Sequence, residues 1–181
     1  NTWNVSNITD MSYIFKDKKY FNDEISRWNV SNVIHMDGMF NNAESFNSDI
    51  SKWNVINVVQ IDGMFRNSIF NGDISDWNVS NVEDMNNLFR DSIFTGDISK
   101  WNVSKVTSML AMFRGSKFNS DLSDWNVSKV IYMQDMFRNS IFNRDISRWK
   151  VNSVIAMCHM FESSLFNCDI SNWDVSGVNH T

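Results

Sequence analysis

Residues 77–100 read WNVSNVEDMNNLFRDSIFTGDISK, and the rest of the chain consists of further versions of this stretch. All eight tryptophans and all fourteen phenylalanines of the 181 residues fall in its register, with a period of 24 residues that is 25 in the first two units. A fixed period of about 20 to 50 residues is typical of proteins in which each unit buries its apolar face against its neighbours. We therefore expect a single repeat domain over residues 1–181, with units beginning at Trp3, Trp28, Trp53, Trp77, Trp101, Trp125, Trp149 and, in part, Trp173.

The composition argues against several classes of function. The net charge is -5 with both signs interspersed, so there is no basic stripe and nucleic acid is not an expected ligand. No apolar run approaches the roughly 18 residues of a membrane helix, so we predict no membrane span in this segment. Because the chain opens and closes inside a unit, we interpret it as a piece of a longer protein.

The middle of each unit has the spacing of a short helix. Numbering each unit from its tryptophan as position 1, the apolar positions are 6, 9, 12 and 13, which in the unit of Trp77 are Val82, Met85, Leu88 and Phe89. This i, i+3, i+6, i+7 pattern predicts one apolar stripe on a segment of only two turns, which needs packing to be stable. Asp-Gly at 37–38 and 62–63 disfavours a helix, so some units are expected to hold a 3₁₀ turn instead.

The residues around each tryptophan alternate between polar and apolar. Lys100 and Asn102 are polar, whereas Trp101 and Val103 are apolar, which predicts a short strand with tryptophan and valine inside. An exposed tryptophan platform for sugar rings is the alternative, but it would bury the lysine. We therefore predict an α/β solenoid of about seven coils of 24–25 residues. It should have a parallel β-sheet on one face and short helices or 3₁₀ turns on the other.

The motif in residues 70–82, FNGDISDWNVSNV, resembles the BspA-like leucine-rich-repeat surface proteins. That group includes the short repeats of mycoplasma-type lipoproteins catalogued as a domain of unknown function, and the resemblance covers the whole chain. It implies a leucine-rich-repeat-like layout and a location at the cell surface or outside the cell. It also implies a non-catalytic role in adhesion or protein–protein interaction, with no shared set of catalytic residues and no cofactor.

An acidic residue recurs before each Ile-Ser-x-Trp or its equivalent. We call this set the acidic row: Glu24, Asp49, Asp73, Asp97, Asp121, Asp145 and Asp169. Stacked carboxylates about 5 Å apart would repel each other by about 1 kcal/mol even in water. Either each carboxylate accepts hydrogen bonds from backbone N–H groups and is partly neutralised by a column of arginines (Arg66, Arg90, Arg114 and Arg138), or calcium ions bridge the row.

No catalytic constellation is apparent in the repeat. Serine recurs in every unit rather than once, and the histidines, His35, His159 and His180, occupy scattered positions in different units. The two cysteines, Cys158 and Cys168, could form a bridge only if their two points of the coil meet, and free thiols are the expected state. We therefore predict that the chain is not an enzyme and binds no cofactor.

Recognition should depend on positions that differ between units. One is position 8, and another is the residue before each tryptophan from Trp28 to Trp149, which we call the pre-tryptophan row: Arg27, Lys52, Asp76, Lys100, Asp124 and Arg148. The pre-tryptophan row should lie on the outer face of the predicted strand, so we predict that it binds a protein or a host-surface macromolecule. The alternative function is a self-assembling filament or coat component. Because both terminal units carry core-type apolar residues, we also expect end-to-end self-association.

Overall fold

The computed structural model describes residues 3–179, and these residues contain neither a helix nor an extended strand. Their only regular pairing is at position 8, where isolated parallel bridges join successive coils: Asp10–His35, His35–Gln60, Gln60–Asp84, Asp84–Ser108, Ser108–Tyr132 and Tyr132–Ala156. The prediction of an α/β solenoid with a parallel sheet and short helices is therefore wrong. The chain forms a stack of irregular coils, each built from consecutive turns.

Positions 9–16 of each coil, which we call the turn run, replace the predicted helix. In the coil of Trp77, the N–H groups of Leu88, Arg90 and Ser92 donate to the carbonyl oxygens of the residues three before them, at 3.4, 3.0 and 3.2 Å. Consecutive turns of this kind bring residues three apart to the same side, as a helix does. The helical spacing of apolar residues therefore arises without a helix.

Left-handed backbone at positions 11 and 15 explains why no helix forms. Asn87 and Asp91 have φ of 53° and 56°, and the equivalent positions of the other coils are positive as well. Asparagine, aspartate and glycine tolerate this conformation best, and they fill most of these positions. The Asp-Gly pairs of the second and third units place Gly38 and Gly63 at position 11. A Cβ on Gly38 would lie 2.5 Å from the ring of Tyr13, so a larger residue there would also displace that ring.

The turn run also connects each coil to the next. Its N–H groups at positions 9, 11, 13 and 15 point out of the coil and donate to carbonyl oxygens at positions 8, 10, 12 and 14 of the following coil. At the boundary between coils 4 and 5 these bonds run from Met85 to Ser108, Asn87 to Leu110, Phe89 to Met112 and Asp91 to Arg114, at 2.7–3.1 Å. The same four bonds recur at every boundary between coils 1 and 7.

The tryptophan side of the coil is held differently. Lys100 and Asn102 are exposed whereas Trp101 and Val103 are buried, so the predicted alternation is confirmed. The predicted strand is not, because the Trp101 N–H donates to Ile98 in a turn and, among residues 3–179, no backbone hydrogen bond joins the Trp-Asn-Val segments of neighbouring coils. Instead, the indole N–H of Trp101 donates to the carbonyl oxygen of Ile74, one coil back, at 3.0 Å.

Aromatic columns fill the space between the two sides. The rings of Trp53 and Trp77 stack with centroids 6.4 Å apart, and Phe65 and Phe89 stack at 5.8 Å. Tryptophans from Trp28 onward are buried, whereas Trp3 in the first coil is 65% exposed. The expected core of tryptophan, valine, methionine and phenylalanine is confirmed for the internal coils, which rules out the tryptophan column there as a platform for sugars.

Candidate interaction face

The acidic row is built into local turns. In each coil one carboxylate oxygen accepts a hydrogen bond from the backbone N–H of the serine two residues later, as in the bond from Ser75 to Asp73 at 2.9 Å. The equivalent bonds at Glu24, Asp49, Asp97, Asp121, Asp145 and Asp169 measure 2.8–2.9 Å. The prediction that these carboxylates accept backbone N–H groups of their own turn is therefore confirmed.

These hydrogen bonds also set the charge state of the row. They favour the ionised carboxylate, so the bonds from Ser75 hold the pKa of Asp73 below its ordinary value, and the bonds from Ser99 do the same for the pKa of Asp97. After the bonds from Ser51, the nearby charge of Lys52 further lowers the pKa of Asp49. Asp49, Asp73 and Asp97 are thus anionic at neutral pH, and the acidic row lies beside the pre-tryptophan row.

All six side chains of the pre-tryptophan row are exposed, as predicted: Arg27, Lys52, Asp76, Lys100, Asp124 and Arg148. Their binding role stays a prediction. A third row lies beside them at position 2, where the side-chain oxygen of Asn78 accepts the N–H of Ser80 at 3.2 Å, and Asn29, Asn102 and Asn126 do the same in their coils. We call these three rows together the interaction face.

The expected role of the arginine column is wrong. Arg138 lies 3.1 Å from Asp135 and 2.6 Å from Glu162, and Arg90 lies 3.3 Å from Asp91. These partners belong to the turn run or its immediate surroundings, not to the acidic row. The spacing of arginines in the sequence could not distinguish pairing with the acidic row from pairing with carboxylates of the turn run. The side of the coil on which the arginines lie depends on the turns.

A second group of carboxylates was missed by sequence reasoning. Asp37 and Asp62 lie half-buried at position 10, inside the turn run, and Asp84 lies half-buried at position 8, just before it. The Asp37 carboxylate accepts the N–H of Asp62 at 2.9 Å, which joins two coils. Burial raises the pKa of each of the three, and the neighbouring carboxylates raise the pKa of Asp37 and Asp84 further. The recurrence of aspartate at these positions in adjacent units was the sequence signal that could have identified this second group.

The structure does not bring the candidate reactive residues together. His159 lies 2.6 Å from Glu162 through Nδ1, while His35 lies in a distant coil, and His180 falls outside the described residues. Cys158 and Cys168 are free thiols without a bridge. Within residues 3–179 no three His, Cys, Asp or Glu side chains converge as metal ligands. The same residues include no helix with the length and apolar character needed to cross a membrane.

The stacked coils and the three polar rows define a repeat protein whose constant core presents a periodic polar face. The chain belongs to the family described as Mycoplasma protein of unknown function, DUF285, which matches residues 1–95 and again residues 91–181. This match supports membership of that family but gives no evidence for the narrower group of BspA-like leucine-rich repeats. No curated protein and no solved structure matches the chain.

Proposed function

We propose that this chain is a non-catalytic interaction module that binds a protein or another surface macromolecule through its interaction face. The observation that carries the proposal is the variation in charge along the pre-tryptophan row. Its six exposed side chains occupy equivalent points of successive coils, yet their charges run positive, positive, negative, positive, negative, positive. The surrounding serines, tryptophans and valines are nearly constant, so charge is what differs along this face.

Such a face suits recognition by charge pattern. The acidic row and the Asn row are fixed by hydrogen bonds within their own turns, so the side chains of these two rows lose little conformational freedom on binding. A partner with a complementary sequence of charges would be distinguished from one with the wrong sequence, because like charges placed opposite each other are unfavourable. The tryptophans of the internal coils are buried beneath the face and unavailable as aromatic anchors, so binding should be strongly salt-dependent.

A location at the cell surface is part of the proposal. It is supported by the resemblance of the FNGDISDWNVSNV motif to BspA-like surface proteins. The role that follows is adhesion or protein–protein interaction.

The test is binding of the fluorescently labelled chain to an immobilised panel of extracellular matrix proteins and to cultured cells, over a range of salt concentrations. A variant with Lys52, Lys100 and Arg148 changed to glutamate should lose most binding to any matrix component that the parent binds. The matched control changes Lys105, Lys117 and Lys129 to glutamate, which alters the net charge equally at exposed positions outside the three rows. Equal losses in both variants, or no binding by the parent, would contradict the proposal.

A further inference from the structure

The turn run carries a pocket of about 220 Å³ on the side of the stack. It is lined by Tyr13 and Lys16 of coil 1, Asn41 of coil 2, Asp62, Gly63 and Arg66 of coil 3, and Asn87 of coil 4. All seven residues occupy positions 10, 11 or 14 of their units, whereas the interaction face consists of positions 21, 24 and 2. The pocket is therefore separate from that face.

The pocket exists because position 11 lacks a side chain in coil 3. The other coils except coil 2 carry tyrosine, asparagine, alanine, aspartate or histidine at this position, whereas coils 2 and 3 carry Gly38 and Gly63. The ring of Tyr13 covers Gly38, since a Cβ there would lie 2.5 Å from it. Above Gly63 the space is open, because a Cβ there would meet no atom closer than 3.8 Å, the nearest being Cβ of Arg66 and Nδ2 of Asn41.

Tyr13 forms an aromatic wall beside this opening. Its φ of 62° is unusual for so large a side chain, and strained backbone of this kind is common at ligand sites. The ring is 55% exposed, and partial burial together with the charges of Asp37 and Asp62 raises the pKa of its hydroxyl group. The ammonium group of Lys16 lies 5.6 Å from the ring centroid. The wall therefore combines an exposed ring face with a positive charge.

Coil 6 shows what this part of the turn run binds when position 11 has a carboxylate. Asp135 occupies position 11, and its Oδ1 lies 3.1 Å from Nη1 of Arg138 in the same coil. The same oxygen lies 3.8 Å from Nη1 of Arg114, one coil back. A carboxylate above position 11 is thus held by the two side chains at position 14 on either side of it.

Coil 3 has the same arrangement without the carboxylate. Arg66 is equivalent to the arginine of the same coil, Asn41 is equivalent to the arginine one coil back, and Gly63 replaces the aspartate. Among the described residues Arg66 forms no ion pair, whereas the three arginines that follow it in its column each do. A carboxylate supplied by a ligand above Gly63 would meet the Arg66 guanidinium and the Asn41 amide.

The far side of the pocket suits hydroxyl groups. One oxygen of Asp62 accepts a hydrogen bond from Nδ2 of Asn87 at 3.3 Å, and its other oxygen has no donor among the described residues. A carboxylate oxygen and a side-chain amide together accept from and donate to hydroxyl groups. The backbone is not available for the same purpose, because the N–H of Gly63 already donates to the carbonyl oxygen of Asn86 at 2.7 Å. The carboxylate of a peptide end, which backbone N–H groups usually hold, is therefore not favoured here.

We infer that this pocket binds a sugar residue that bears a carboxylate, of the hexuronic acid type. The sugar carboxylate lies above Gly63 and pairs with Arg66, while one face of the sugar ring packs on Tyr13 and a ring hydroxyl group donates to Asp62. The pocket shares no residue with the interaction face, so this inference and the proposed function are tested independently.

The test is a titration of the isotopically labelled 181-residue chain, followed by the NMR shifts of its backbone amides. Methyl glucuronide should shift the amide of Gly63 and its neighbours until saturation. Methyl glucoside lacks the carboxylate and acetate lacks the sugar, so each should bind at least about tenfold more weakly. Equal binding of methyl glucoside or of acetate would overturn the inference. So would tighter binding of free alanine, which would show that Asp62 holds an ammonium group instead.

The decisive variant is Gly63→Asp, which places in coil 3 the carboxylate that coil 6 has at Asp135. Aspartate tolerates the φ of 59°, so the variant should fold, pair with Arg66 and lose methyl glucuronide binding. Arg66→Gln should weaken binding by about tenfold, and it carries the test if thermal melting shows that Gly63→Asp is unfolded.

The matched control is Asn139→Asp, which adds the same charge at an exposed position of coil 6 with φ of 56°. It should leave methyl glucuronide binding unchanged. Binding that survives both Gly63→Asp and Arg66→Gln, or that falls equally in Asn139→Asp, would overturn the inference.

Discussion

The turn run and the tryptophan side of each coil achieve the same stacking by different means. Along the turn run, four backbone hydrogen bonds at each boundary join one coil to the next. Between the Trp-Asn-Val segments no backbone bond does so within residues 3–179, and these segments are joined by stacked rings and one indole N–H per coil. The nearest backbone bond between coils is at position 7, as from the Thr107 N–H to the carbonyl oxygen of Glu83 at 2.9 Å. The turn run therefore depends on backbone conformation, and the tryptophan side depends on side-chain volume.

The difference explains which residues vary between units. A turn run needs only residues that accept a left-handed backbone at positions 11 and 15, so asparagine, aspartate, glycine, alanine and serine all occur there. The tryptophan side needs one particular large side chain with a donor, and tryptophan is present in every unit. Substitutions on the two sides should therefore differ in size and in kind.

The largest effect is expected on the tryptophan side. Trp101→Ala removes a buried ring and leaves the carbonyl of Ile74 without its indole donor, so the free energy of unfolding should fall by about 3–5 kcal/mol. Trp3→Ala is the matched control, because this ring is mostly exposed, and it should cost less than about 1 kcal/mol. Urea unfolding of both variants measures the difference. Equal losses would show that the tryptophan column does not hold the coils together.

The turn run should respond to backbone conformation instead. Gly115 has φ of 66°, and a Cβ there would collide with the carboxylate of Asp91, so Gly115→Ala should destabilise the fold by about 1–2 kcal/mol. Ala111 has φ of 53° but its methyl group is buried, so relief of backbone strain and loss of the methyl should nearly cancel in Ala111→Gly. A clear loss for Gly115→Ala beside little change for Ala111→Gly is the diagnostic result. If both destabilise, packing rather than backbone strain governs the turn run.

The same contrast shows how far the sequence could predict the structure. Periodicity identified the repeat and the buried columns, because burial depends on which side of the coil a residue faces. Consecutive turns place residues three apart on the same side, as a helix would, so the predicted buried side is the same in both structures. It could not identify the turn run, because Met85, Leu88 and Phe89 have the same spacing in either structure. Gly38 and Gly63 indicated turns, but non-glycine residues such as Tyr13 and Ala111 adopt the same left-handed backbone. The exposure of the pre-tryptophan row was predictable from alternation, whereas the half-buried Asp84 was not.

A smaller effect is expected in the acidic row. Asp97→Ala removes the acceptor of the Ser99 N–H on an exposed turn, which should cost about 0.5–1 kcal/mol. Asp97→Asn keeps an oxygen acceptor and should lose less. Thermal melting of the two variants at low salt compares them. If Asn is as damaging as Ala, the charge rather than the hydrogen bond supports the turn.

Titration should separate the two groups of carboxylates. Burial raises the pKa of Asp84, which means that folding favours the protonated form of its carboxyl group. The resulting contribution to stability is present below about pH 4 and is lost as pH rises through the folded-state pKa. Asp84→Asn removes that penalty and keeps an oxygen for the backbone N–H of Asn86, but it replaces the oxygen that accepts the Asn86 side-chain N–H at 3.0 Å. The net gain in stability at pH 7 should therefore be less than about 1 kcal/mol. The gain should vanish as pH falls below about 4.

The acidic row should behave in the opposite way. The hydrogen bonds from Ser75 lower the pKa of Asp73, so its contribution is present above about pH 4 and is lost as pH falls through its folded-state pKa. Asp73→Asn should therefore lose stability relative to the parent at pH 7, and this difference should shrink in acid. Melting temperatures from pH 3 to pH 7 measure both variants. A gain for Asp73→Asn, or a loss for Asp84→Asn, at neutral pH would contradict the assignment of the two groups.

The smallest expected effect is that of calcium removal, which tests whether an ion supports the tryptophan side. Calcium takes about six to eight oxygen ligands, whereas each carboxylate of the acidic row already accepts a serine N–H through one oxygen. We expect EGTA to leave the melting temperature unchanged within error. The measurement is sensitive, because one ion present at 100 times its Kd would add about 2.7 kcal/mol, and for a chain of this size each kcal/mol moves the melting temperature by about 2–4 °C. A fall of several degrees that calcium restores and magnesium does not would show that ions bridge the row. The tryptophan side would then depend on bound metal as well as on stacked rings, and Asp97→Asn would be expected to remove much of the calcium response.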